Sequence, residues 1–148
     1  MAIIKRVEIA DLKVVRNIDY QNFASEAFPF SFFRLSFELY PDTFLAATTA
    51  NEVAGYCIGA PTTTDTKRWW IISIAVSPGY QRQGYGSKLL LQMLQTLRRK
   101  DCSEIKLSVD PQNSAAKTLF QKYGFVQIKV ESEYFGPGTV REIMHLVF

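Results

Sequence analysis

The sequence predicts an α/β domain of the α+β kind, in the order βααβββαβαββ. Three stretches predict it. Trp69–Val76 is apolar at nearly every position, as in a strand covered on both faces mid-sheet. The stretch after it, to Arg99, carries Leu89, Leu90, Met93, Leu94 and Leu97 on one helical stripe. From Ser103 to Asp110, Ile105, Leu107 and Val109 alternate with Glu104, Lys106, Ser108 and Asp110, the period of a strand.

The other elements follow in order. Ala2–Ile9 alternates as an edge strand. Asp11 is placed to cap a helix reaching Phe23, with Leu12, Val15, Ile18 and Asn22 three or four apart. Phe28-Pro29-Phe30 breaks it. Ser31 is placed to cap a second helix, through Leu35 and Leu39 to Tyr40, which Pro41 stops. Thr43–Thr49 and Val53–Ala60 form a hairpin around Ala50-Asn51-Glu52, and Gly55 and Gly59 permit close backbone approach. A Thr-rich loop, Pro61–Lys67, leads into the central strand. Asn113 caps a short helix carrying Ala115, Ala116, Leu119, Phe120 and Tyr123, which Gly124 ends. Phe125–Tyr134 and Thr139–Phe148 are two last strands around Gly136-Pro137-Gly138.

The 148 residues suit one domain, 1–148, and 47% hydrophobic content gives it a core. A net charge of +3 is too small to argue for nucleic acid, and Arg98-Arg99-Lys100 suits a helix C-terminus. Cys57 and Cys102 make neither metal spacing nor a disulfide framework, so no metal is expected. The start, MAIIKRVEIADL, has too short an apolar run for a signal peptide, and no stretch approaches the ~20 apolar residues of a membrane span. The expectation is a soluble, cytoplasmic protein with no membrane or nucleic-acid partner.

Gly79–Ser87 invites three readings. A nucleotide P-loop needs lysine where Tyr85 stands. A dinucleotide fingerprint needs glycine where Leu89 stands. A pyrophosphate loop remains, with Gly84 and Gly86 baring N–H groups at a helix start and Arg82 adding a cation at the rim; a plain strand-to-helix turn is its rival.

Here the residues carry a resemblance. Ile74-Ala75-Val76, then Gln81-Arg82-Gln83-Gly84-Tyr85-Gly86-Ser87-Lys88-Leu89-Leu90, resembles the signature of the GNAT superfamily of N-acetyltransferases. Asn113-Ser114-Ala115-Ala116, Leu119-Phe120 and Tyr123-Gly124-Phe125 are similar to its second motif. Within the superfamily, Glu26–Phe30, Asn113–Phe125, Tyr134-Phe135-Gly136 and Met144-His145-Leu146 resemble the bacterial ribosomal-protein N-terminal acetyltransferases more loosely.

The resemblance implies a mixed, mostly antiparallel sheet with a splayed central strand and helices on both faces. It implies acetyl-CoA, or coenzyme A, as the cofactor. Ile74, Ala75 and Val76 would meet the pantetheine, and Gln81, Arg82, Gln83, Gly84, Tyr85, Gly86 and Ser87 the pyrophosphate. Asn113 and Ala116 would hold the arm, with Phe120 and Tyr123 near the thioester sulfur. The Val76 N–H would stabilise the oxyanion.

The family's acid and base do not carry over, because Ser108 stands at the Glu position and Phe120 at the Tyr position. Tyr123 and Tyr134 are the candidate proton donors, and Asp110 shares the face of Ser108. Phe28, Phe30, Tyr134 and Phe135 would wall an acceptor groove. Glu26 would meet a positive amine or be solvated there, and one of Trp69 and Trp70 would border the groove. His145 reads as structural.

The reaction implied is acetyl transfer to a primary amine, leaning to a peptide or protein N-terminal α-amine. Alternatives are a small-molecule amine, or an acyl-CoA-binding sensor without catalysis. A monomer or homodimer is expected.

Overall fold

The structure is a computed structural model and describes residues 2–148. Its elements are β1 (Ile3–Arg6), α1 (Leu12–Phe23), α2 (Phe30–Leu39), β2 (Phe44–Thr49), β3 (Glu52–Pro61), β4 (Arg68–Val76), α3 (Tyr85–Arg99), β5 (Glu104–Val109), α4 (Ser114–Lys122), β6 (Val126–Ser132) and β7 (Val140–Val147). The order is the expected one. All strands lie in one sheet, β1-β2-β3-β4-β5-β7-β6, antiparallel except where β4 meets β5.

Helices cover both faces. Leu89, Leu90, Met93, Leu94 and Leu97 of α3 and Phe120 of α4 close one core. Leu12, Val15 and Ile18 of α1 and Phe33 of α2 close the other. The α3 helix lies very close to β3. A Cβ on Gly55 would meet Leu89 Cδ1 at 3.1 Å, and one on Gly59 would meet Met93 Sδ at 2.9 Å.

Strand β4 shapes the functional region. Ile58 pairs with Ser73 but Gly59 with Ile71, so Ile72 is an inserted residue. A bulge switches faces and adds twist. Trp69 and Ile71 accordingly point into the α3 core, while Ala75 points into the α1–α2 core. Pairing with β5 stops early, covering only Arg68–Trp70 against Glu104–Lys106. Beyond Trp70 the two strands part, which is the expected splay.

Several boundaries differ for local reasons. β1 is shorter than Ala2–Ile9, because Ile9–Asp11 turns into a 3₁₀ segment. Asp11 stands at the N-cap of α1, but its carboxylate does not bond the helix; it accepts from the Glu8 N–H at 2.9 Å and faces Lys5 Nζ at 2.7 Å. Ser31 is not a cap, since α2 starts at Phe30 behind extended Pro29. The β2–β3 turn is Ala50-Asn51, both at positive φ as a two-residue hairpin requires. Tyr123 caps the C-terminus of α4 rather than lying inside it, and Tyr134 lies in the β6–β7 connection rather than in a strand.

One buried polar group lies under α1. Asp19, fully buried, accepts from Tyr56 Oη at 2.5 Å and from the Phe28 N–H at 2.8 Å. Tyr56 Oη also shares a 2.7 Å hydrogen bond with Ser73 Oγ of β4. Asp19 therefore ties the α1–α2 connection to the sheet. Burial raises its carboxyl above the ordinary value, against the hydrogen bonds it accepts.

The folded protein thus holds the Asp19 proton to higher pH than the unfolded chain does. Asp19 therefore contributes stability that is lost as pH rises through the folded value. Asp19→Asn keeps an acceptor for the Phe28 N–H and turns an amide N–H toward Tyr56 Oη, whose own proton can go to Ser73 Oγ. It is expected to flatten the fall of Tm with pH from about pH 4 upward, measured by thermal melts. An unchanged slope would show that Asp19 titrates as it does in the unfolded chain.

Candidate active site

The splay between β4 and β5 opens at the C-terminal end of β4, beside the start of α3. The Ser77 N–H bonds Ala54 O at 2.7 Å, which sets the phase of the β3–β4 ladder. Alternation then turns the N–H and C=O of Ile74 and Val76 away from β3, toward the opening. The Val76 carbonyl is already engaged. It accepts from Asn22 Nδ2 at 3.0 Å and from Gln81 Nε2 at 3.1 Å. Gln81 Nε2 also lies 3.2 Å from Asn22 Oδ1. Only the N–H of Val76 is left to meet another group. Asn22, exposed on α1, was legible only as the last step of a helical stripe.

The loop from Pro78 to α3 is a cradle of donors. The first bond into α3 runs from the Lys88 N–H to Gly84 O at 3.1 Å. Each N–H from Gln81 through Ser87 lacks an acceptor among the described residues. Gly84 holds φ +87° as the N-cap, with open space where a Cβ would stand, and Arg82 holds φ +64°. Consecutive free N–H groups at a helix start favour an anion, and the helix dipole adds to this. Gly86 has a different reason to be glycine: α3, α4 and β4 converge there, with Leu119 Cδ2 at 3.3 Å and Val76 Cγ2 at 3.8 Å from its would-be Cβ. The residues therefore fit a diphosphate at the loop and an extended arm along β4.

On α4, the Asn113 side chain accepts from the Ala116 N–H at 3.2 Å, so it is at least the helix cap. Ala116, Leu119 and Tyr123 are half-buried around the α3 core, with Ile74 and Tyr85. Phe120 is 4% exposed and packs on Phe125 at 5.9 Å, a core ring with no open face. Lys117 Nζ stands 2.8 Å from buried Glu142 Oε2, close enough to pair although off the angle of a hydrogen bond.

Two segments carry the residues expected to wall an acceptor groove. One is the α1–α2 connection. There Phe28 stacks on Phe32 at 4.0 Å and Phe30 is exposed. The other is the β6–β7 connection, where Tyr134 and exposed Phe135 meet edge-on at 4.7 Å. Burial, then the charge on Glu131, raises the Tyr134 phenol. Ser108 stands on β5, opposite Ile143 of β7. Glu26 is exposed but not free; Arg141 Nη2 of β7 donates to its Oε1 at 2.6 Å.

Other residues are engaged elsewhere. Trp69 is buried, with Nε1 donating to Thr66 O at 3.1 Å. Trp70 sits at the last paired position with β5, six residues or ~20 Å before Val76, so neither Trp borders the groove. His145 Nδ1 meets Glu104 Oε2 at 2.7 Å at that same closed end and lowers the Glu104 carboxyl. Asp110 accepts from the Gln112 N–H at 2.9 Å. Cys57 and Cys102 are free and buried. Among the described residues no cluster of His, Cys, Asp and Glu could hold a metal, and no helix is long and apolar enough to cross a membrane.

The model of the acetyltransferase (GNAT) family matches residues 12–125, which include the loop, the splay and α4. The chain belongs to the GNAT acetyltransferase family. As a GNAT member it is similar to an N-alpha-acetyltransferase of Sulfurisphaera tokodaii, 30% identical over 129 residues, 80% of this chain and 77% of that one. It is also similar to the [ribosomal protein bS18]-alanine N-acetyltransferase of Escherichia coli K12, 33% identical over 72 residues and 49% of each chain. Among solved structures, Ard1 from Thermoplasma volcanium superposes with a TM-score of 0.90 at 23% identity, covering 99% and 97% of the two chains. A chain of the NatC complex bound to Gag peptide and CoA gives 0.88 at 21%, covering 99% and 98%. The GNAT fold accounts for the bulged, splayed β4 and for a helix starting at a donor-rich loop.

Proposed function

We propose that this GNAT protein transfers an acetyl group from acetyl-CoA to the α-amine at the N-terminus of a peptide or protein, in the cytoplasm. The observation that carries the reading is the splay itself. It has a donor cradle on one side and a two-walled aromatic groove on the other, so two extended substrates can meet at Val76. The similarity to an N-alpha-acetyltransferase over 80% of this chain and 77% of that one supports the choice of amine.

Acetyl-CoA supplies a thioester whose acyl carbon is open to a neutral amine. In this chain the N–H groups of Gln81–Ser87 bind the diphosphate, and the edge of β4 aligns the arm. The Val76 N–H faces the carbonyl oxygen where negative charge develops. Asn22 and Gln81 occupy the Val76 carbonyl and so hold that peptide unit in orientation.

No strong base stands at Ser108. An α-amine of pKa 7.7–8.0 is partly neutral at pH 7.4, whereas a lysine amine near 10.4 is about a thousandfold protonated. An active site without a base suits the former. Peptides with free α-amines, tested beside a panel of small amines and a blocked lysine peptide, should be acetylated preferentially. Acetylation of the small amines alone would overturn the reading.

The proton for the departing thiolate has two candidate sources. Tyr123 is half-buried at the end of α4, and Tyr134 stands on the acceptor side. Tyr123→Phe is expected to lower kcat about 10²-fold with Kd for acetyl-CoA unchanged. Unchanged turnover would assign the donation to Tyr134, tested in turn by Tyr134→Phe.

A further inference from the structure

One ion pair spans the acceptor groove, and the proposed reaction does not use it. Glu26 lies in the 3₁₀ turn Ala24–Glu26 on the α1–α2 wall. Arg141 lies on β7, two residues before Ile143, the partner of Ser108. Alternation puts Arg141 on the same face as Ile143 and Ser108, one step toward the open end of the splay. Its side chain is only 11% exposed, while that of Glu26 is 43% exposed.

The guanidinium is held from three sides. Nη2 donates to Glu26 Oε1 at 2.6 Å, Nη1 donates to Val140 O at 2.8 Å, and the Phe135 ring centroid lies 5.4 Å from Cζ. Glu131 faces Arg141 across the β6–β7 ladder, but Lys129 pairs with it at 2.7 Å. Glu26 is therefore the carboxylate that neutralises Arg141.

We infer that Arg141 reads the charge of the acceptor, selecting peptides with an acidic side chain at their first or second residue. The inference rests on the α-amine reading above. An arriving α-ammonium is drawn to Glu26, the carboxylate at the groove, and competes with Arg141 for it. Loosening the pair leaves a mostly buried guanidinium without a counter-charge, which is costly. A carboxylate on the acceptor removes that cost, since a guanidinium takes a carboxylate in two parallel hydrogen bonds. The exchange conserves ion pairs in the encounter complex, α-ammonium on Glu26 and side-chain carboxylate on Arg141; the amine then reacts from its neutral fraction, its proton having passed to solvent. A neutral acceptor leaves Arg141 unpaired, and a basic one adds repulsion.

The test is a peptide series differing only at residues one and two, with Asp or Glu, Ala or Ser, and Lys, read as kcat/KM at low and high salt. The wild type is expected to favour acidic over neutral peptides at least tenfold, and neutral over basic, with both ratios shrinking at high salt. Arg141→Gln should collapse the acidic-to-neutral ratio to below about threefold, mostly through KM. The charge-swapped Glu26→Arg/Arg141→Glu keeps an ion pair across the groove and should lose the acidic preference too. Thermal melts show whether each variant is folded, and Arg141→Lys, which keeps the charge but not the fork, should retain a reduced preference. Equal use of acidic and neutral peptides by the wild type overturns the inference and leaves the α-amine reading standing. So does an acidic preference that survives in Arg141→Gln. If no peptide is acetylated while small amines are, the α-amine reading itself fails, and the inference with it.

Discussion

Gly84→Glu is expected to abolish acetyl-CoA binding while leaving a folded protein. The residue is the N-cap of α3 at φ +87°, and no atom lies within 4 Å of the Cβ it lacks. A side chain there meets no steric wall, so the cost to the fold is that of a left-handed non-glycine residue, about 1–2 kcal/mol. The cost to the site is far greater. A carboxylate is placed among the N–H groups of Gln81–Ser87, occupying the donors and repelling the diphosphate. Gly84→Ala has the same backbone cost without the charge, and should keep most of the affinity. At ligand one hundred times Kd, binding stabilises the wild type by about 2.7 kcal/mol. For a chain of this length that is roughly 5–10 °C in Tm. The expected shift is near that for the wild type, smaller for Gly84→Ala and nil for Gly84→Glu. A wild-type shift in the Glu variant would show that the loop is only a turn. A shift with ATP but none with acetyl-CoA in the wild type would overturn the cofactor assignment.

The cofactor side of this site was more legible in the sequence than the acceptor side. Local patterns write the cofactor side: an apolar strand, two glycines and an amphipathic helix within Trp69–Arg99. Their periods and backbone needs are visible in one chain segment. Even there, pattern alone missed a second role of Gly86, which makes room for Leu119 and Val76. It also missed the bulge at Ile72, because an apolar run covered on both faces has no alternation to break.

The proposed acceptor side depends on residues far apart in sequence. Glu26 and Arg141 meet across 115 positions, and no periodicity relates them. Asn22 reaches Val76 across 54. Asp19 carried a faint signal, as a carboxylate beside Ile18 on the apolar stripe of α1. Only the tertiary fold shows that Tyr56 and Phe28 are its partners. Tyr123 and Tyr134 are both half-buried, at the end of α4 and in the β6–β7 connection, and no local pattern chooses between them as the proposed donor.

Phe33→Ala should be the most destabilising single change on the acceptor side. The ring is fully buried on α2 and meets Phe28 at 6.3 Å, Phe32 at 5.3 Å, Phe44 at 6.4 Å and Tyr56 at 5.7 Å. Truncating a buried Phe costs about 3–5 kcal/mol through lost transfer energy and the cavity left. That corresponds to a fall in Tm of roughly 6–20 °C. The two cores lie on opposite faces of the sheet, and Phe33 touches only the one beneath α1 and α2. Phe33→Leu, which fills most of the space, keeps a folded protein in which this separation can be measured. Acetyl-CoA should still raise its Tm by nearly the wild-type amount, since the donor cradle rests on α3 and the other core. KM for a peptide acceptor should rise several-fold, because Phe28 loses the edge of the ring that backs it and the α1–α2 wall loosens. Equal losses of acetyl-CoA and peptide affinity would show that the two faces of the sheet are coupled through β4, and that the wall and the cradle are not independently built.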